Sequence, residues 1–136
     1  MTVPKKQILE IINNFPEEVD IDEMMYRLYL KEKIELAEQD VKEGNLVSHD
    51  DVVKDWFLES KIKWTKRALS DLKDIHDYIK KDYPQYAKIQ IEKIQKATSK
   101  IKSHPKIGRI LPEFPKLPYR EIISGNYRIV YRYDKK

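Results

Sequence analysis

No cysteine occurs in the 136 residues, which excludes disulfides and thiolate metal sites. Histidine is scarce, and His49, His76 and His104 stand far apart with no metal-ligand spacing, so no metal is implied. Only three glycines are present, and none builds a phosphate-cradling loop. A serine or cysteine nucleophile constellation is missing too, and no cofactor is implied. No apolar run approaches the roughly 20 residues of a membrane span. The start, MTVPKKQILEII, lacks a long apolar signal core and a small-residue cleavage site, which points to the cytoplasm.

What is abundant is charge, and it is segregated. Met1 to Glu59 carries seven Lys/Arg against fifteen Asp/Glu, a balance of −8, whereas Ser60 to Lys136 carries twenty against eight, a balance of +12. Such halves either bind each other or meet different partners. The boundary divides the chain into an acidic segment, 1–59, and a basic body, 60–136.

In the acidic segment Pro4 opens a short helix with Ile8, Leu9, Ile11 and Ile12 on one side, ended by Asn13, Asn14 and Pro16. Asp20, three residues before Glu23, caps a helix that can run to Glu43, with Gly44 as its stop. At 1.5 Å per residue it is about 35 Å long, an arm suited to lying along a partner. Its apolar positions, Ile21, Met24, Met25 and Leu28, then Leu30, Ile34, Ala37 and Val41, curl around the helix. Ser48 is expected to cap a third helix, with Val47 stapled to Val52 and an apolar side of Val52, Val53, Trp56 and Phe57. No convincing strand is visible up to Glu59. The segment reads as a helical wrapper that needs something to hold, or as a small three-helix domain.

In the basic body Lys61 to Trp64 alternates as a short strand, and Thr65 caps a helix with Ala68, Leu69, Leu72, Ile75, Tyr78 and Ile79 at helical spacing. Pro84 falls in the first turn of a second helix, buried along Ala87, Ile91, Ile94, Ala97, Thr98 and Ile101 and closed at Ser103 to Pro105. Gly108, Pro112, Pro115 and Pro118 predict an irregular loop. Arg120 to Ser124 and Tyr127 to Tyr133 then form a hairpin about Gly125-Asn126. On its second strand Tyr127, Ile129, Tyr131 and Tyr133 share one face, expected to pack, while Arg128, Val130 and Arg132 share the other, free to present guanidinium groups. The order strand, helix, helix, loop, strand, strand predicts an α+β unit with a helical hairpin on a small antiparallel sheet.

IKWTKRALSDLKDIHDYI followed by HPKIGRILPEFPKLPYREIISGNYRIVYR resembles the toxin of a bacterial RelE/ParE-type type II toxin–antitoxin module over about 61–132. The WTKRALSDL helix start, the GR-x-x-PE loop at Gly108 to Glu113 and the REI-x-x-GNYRI-x-Y hairpin carry the likeness. The acidic segment, with SHDDVVKDW, resembles a short helical antitoxin. The resemblance implies both halves of a module in one chain, with the toxin body lacking the family's last strand. RelE-type members imply a ribosome-dependent mRNA endoribonuclease, and ParE-type members, which the hairpin and loop resemble better, imply poisoning of DNA gyrase by binding. Arg128 falls on an arginine of the shared pattern and is the one catalytic candidate. Ile123, however, stands where RelE-type toxins place another basic residue before the turn, and no histidine or acid is read beside the hairpin in sequence.

Arg109, Lys116, Arg120, Arg128 and Arg132 are the expected target-binding face, since arginine suits phosphate and carboxylate pairing. Met24, Met25, Leu28, Tyr29, Trp56 and Phe57 are the expected antitoxin–toxin interface. The expectation is a growth-regulating fusion in which the acidic segment masks a truncated toxin body that is inactive or self-neutralised, in cis or in a swapped homodimer, with gyrase or the ribosome and its mRNA as target. A silenced mRNA interferase is the alternative. The basic body can also bind nucleic acid without sequence preference.

Overall fold

The computed structural model describes residues 2–48 and 62–133. The expected third helix, with Trp56 and Phe57, lies outside the described residues beyond its first position. Helix α1 spans Lys5–Asn13 and α2 spans Ile21–Glu43. The Asp20 carboxylate accepts from the Asp22 and Glu23 amides at 2.9 and 3.3 Å, satisfying two of the free amides of the first turn. Glu23 pairs with Arg27 at 3.1 Å in place of closing the reciprocal half of a capping box. Gly44 ends the helix in the left-handed region at φ +72°.

The chain departs from expectation directly after Gly44. Leu46–Ser48 is a strand, β1, antiparallel to β2, Lys63–Thr65, with Val47 opposite Trp64. A serine before two aspartates is a local helix-start signal, but here the backbone of Ser48 is taken by the ladder to Lys63, a partner that local pattern does not reveal. The strand expected at Lys61 to Trp64 is found at Lys63–Thr65, and it pairs with the acidic segment instead of the hairpin sheet.

Helix α3, Lys66–Lys80, starts on the Thr65 hydroxyl, which accepts from the Ala68 amide at 3.1 Å. Helix α4, Pro84–Ser103, has Pro84 in its first turn, where the missing amide proton leaves no bond unmade. The second sheet has the order β3 (Arg109–Ile110), β4 (Tyr119–Ser124), β5 (Tyr127–Arg132), all antiparallel. Strand β3 lies in the stretch read as irregular: Arg109 and Ile110 pair with Glu121 and Arg120 despite the flanking Gly and Pro. Gly125, at φ +61°, and Asn126 make the two-residue turn that sets Ser124 opposite Tyr127.

Both faces of this sheet are covered. On one, Tyr127 and Ile129 pack with Trp64, Leu72 and Ile94, so the α3–α4 hairpin lies there. On the other, Val130 and Tyr119 pack with Leu30 and Ile34 of α2 and with Leu111, Phe114 and Leu117 of the loop. The result is an α+β arrangement of helical hairpin, sheet and arm. The face expected to present free guanidinium groups is roofed by α2.

Candidate functional site

Antiparallel register sets the site. Residues opposite one another share a face, so Tyr119, Glu121 and Ile123 of β4 join Arg132, Val130 and Arg128 of β5 beneath α2. Glu121, 2% exposed, is at the centre. Its carboxylate accepts from Arg109 Nε and from Arg128 Nε, each at 2.5 Å. Arg128 also donates to both oxygens of Glu113, at 2.7 and 3.2 Å, and to the Tyr26 hydroxyl of α2 at 2.6 Å. Burial works against the charge of Arg128, yet these partners outweigh it and hold the guanidinium proton more tightly than usual.

One pair further along, Arg132 meets both oxygens of Glu38 of α2 at 3.0 Å, and the Tyr119 hydroxyl donates to the same carboxylate. Burial first, and Glu38 second, raise the Tyr119 phenol well above its ordinary value. Lys33 bonds both oxygens of Asp71 in α3 at 2.8 Å. Asp40, 4% exposed, accepts from the Arg67 amide at 3.2 Å, so an acid of α2 meets the positive end of α3. Thus α2 is fastened to β5 and to α3. An open cleft of about 410 Å3 is lined by Tyr26 and Arg27 of α2 and by Arg109, Glu113, Ile123 and Arg128.

The five cations expected to form one target-binding face are distributed differently. Arg109, Arg128 and Arg132 share the α2-covered face. Arg120 points to the opposite face, across from Tyr131, and donates to the Gly108 carbonyl at 2.8 Å. Lys116 sits exposed in the loop, without an ion pair among the described residues. In α2, Met25 and Tyr29 are 63% and 58% exposed, Leu28 is exposed and Met24 half-buried, whereas Leu30 and Ile34 make the packed contact. Among the described residues the packed contact of α2 falls at Leu30 and Ile34 because burial follows the sheet's position, which helical spacing alone does not supply.

Sequence reasoning also missed the acids. Glu121 lies within the hairpin and Glu113 at the end of the GR-x-x-PE loop, so the expectation of no acid beside the hairpin is corrected. Both were legible as members of quoted motifs, but their partnership with arginine depends on register. With its oxygens spent on two guanidiniums, Glu121 is a structural counter-ion, not a free base awaiting a proton. His76 meets Asp77, at 3.2 Å on an exposed surface.

A family model described as the ParE toxin of type II toxin–antitoxin system, parDE, matches residues 62–136. No curated protein and no solved structure matches.

Proposed function

The chain belongs to the ParE toxin family of type II toxin–antitoxin systems, and from that premise we propose that residues 60–136 are a toxin body masked in cis by an antitoxin-like arm, residues 1–59. The observation that carries this reading is the placement of Tyr26, Leu30, Ile34 and Glu38 of α2 over the Arg128–Val130–Arg132 face of β5. Opposite charge aligns the two parts and the apolar pair seals them, since charge contributes chiefly rate and specificity. The tether keeps the arm at high effective concentration around the body.

Strand β5 pairs with β4 alone among the described residues. The target is DNA gyrase, met by binding and not by hydrolysis. In support, the one catalytic candidate, Arg128, is engaged by two carboxylates and a phenol, leaving it poorly placed to stabilise developing phosphate charge.

The test uses the full chain carrying Leu30→Asp and Glu38→Arg, with circular dichroism for fold and hydrogen exchange to establish that α2 is released. The released variant is expected to inhibit gyrase supercoiling and arrest growth on induction, while the unmodified chain does neither. A folded, released variant that leaves supercoiling and growth untouched removes the reading. Cleaved mRNA with normal supercoiling moves it to the ribosome-dependent interferase.

A further inference from the structure

The positive charge of the body is not free where the hairpin places it. Arg109, Arg128 and Arg132 are bound to Glu121, Glu113 and Glu38, so that face is close to neutral. Helix α4 is different: it carries Lys88, Lys93, Lys96, Lys100 and Lys102 against the single acid Glu92. None of these lysines has an acid partner among the described residues.

Their spacing matters as much as their number. Ala87, Gln90, Ile94, Thr98 and Ile101 turn inward. At 100° per residue Lys93, Lys96 and Lys100 fall within about 60° of one another on the exposed side, along about 10 Å of helix. All three are exposed. Ile89 and Tyr86, 48% and 52% exposed, lie one and two turns before Lys93 on the same side, and from Gln90 to Lys106 no large apolar side chain is exposed. Helix α4 packs on the sheet face opposite α2, so this flank stays accessible with the arm in place.

We propose that the Lys93–Lys96–Lys100 flank of α4 binds the phosphate backbone of duplex DNA. A row of unpaired ammonium groups recognises a polyanion, and duplex DNA, with one charge per about 1.7 Å of axis, releases most counterions when its phosphates are neutralised. A single strand is held by stacking on interleaved aromatics, and none lies between Lys93 and Lys102. An acidic protein partner centres its contact on an apolar patch, and between Lys93 and Lys100 no large apolar side chain is exposed, Ile89 and Tyr86 lying at one end of the row. The contact is to backbone, without base reading, and it stands independently of the masking reading.

The experiment is fluorescence anisotropy of a labelled 30-base-pair duplex titrated with the full chain from 20 to 200 mM salt. Three phosphate contacts give a slope of log Kobs against log salt of about −3. Lys93→Gln, Lys96→Gln and Lys100→Gln together are expected to bring that slope close to zero and to weaken binding more than tenfold at the lowest salt. A control with Lys5→Gln, Lys6→Gln and Lys42→Gln, also exposed positions, removes the same charge and is expected to keep the slope. Absence of saturable binding at 20 mM salt overturns the proposal. So does equal loss in both triple variants, which would mean attraction by net charge alone, or tighter binding to a single strand or to polyglutamate than to the duplex.

Discussion

Glu121 shows how a charged residue is accommodated at the centre of a small sheet. Its side chain is fully buried between Arg109 and Arg128, and the cost of removing it from water is offset only while both guanidiniums remain. Replacing it with Gln leaves Arg109 without an acid and Arg128 with Glu113 alone. The expected loss is about 3 kcal/mol of unfolding free energy, read by urea denaturation. Tyr119 makes the second prediction at this scale. Because burial and Glu38 raise its phenol above the ordinary 10.0, the folded chain keeps a proton that the unfolded chain releases as pH passes 10. The stabilisation is complete below that pH and is lost as pH rises. Lys33 acts in the same sense: burial opposes its charge, Asp71 outweighs burial, and its stabilisation also fades in alkali. The melting temperature should therefore fall between pH 10 and pH 12, and Tyr119→Phe should make that fall shallower.

At the scale of elements, α2 has two apolar sides, and among the described residues one of them is packed. Leu30→Ala and Ile34→Ala, at 6% and 4% exposure, are each expected to cost about 2 to 4 kcal/mol. Met25→Ala, on the open side, should change stability by no more than about 0.5 kcal/mol. Equal losses at all three positions would contradict the packing of α2 on the sheet. The approach to β3 is held as tightly. The Gly108 amide donates to the Tyr131 hydroxyl at 3.0 Å, and that hydroxyl donates to the Pro105 carbonyl at 2.6 Å. A Cβ at Gly108 would lie 2.6 Å from the Glu121 carbonyl oxygen and 2.8 Å from the Tyr131 ring, both too close. Gly108→Ala is thus expected to destabilise by about 1 to 3 kcal/mol, measurable as a lowered melting temperature.

Across the whole molecule, the arm is held to the body by a small apolar contact and by part-exposed ion pairs, Lys33–Asp71 and Glu38–Arg132. Salt at 1 M shortens the screening length to about 3 Å. Amide exchange in α2 should accordingly quicken between 0.05 and 1 M salt, while exchange in β4 and β5 changes little; equal responses would mean that charge does not hold the arm. The sequence by itself determined what depends on neighbouring residues. The Asp20 and Gly44 ends of α2, the Thr65 cap, Pro84 at the start of α4, the Gly125-Asn126 turn and the family motifs were all legible, because capping and turn chemistry act over a few positions. Tertiary structure alone decided which surfaces are free. Glu38 and Arg132 are 94 residues apart, Tyr26 and Arg128 are 102 apart, and the β1–β2 ladder joins the two charge halves. Composition placed the excess positive charge in the second half, but only folding brought carboxylates to the hairpin arginines and left the lysines of α4 without an ion pair among the described residues. Pairing over such separations depends on sheet register and helix position, and no local sequence pattern encodes either.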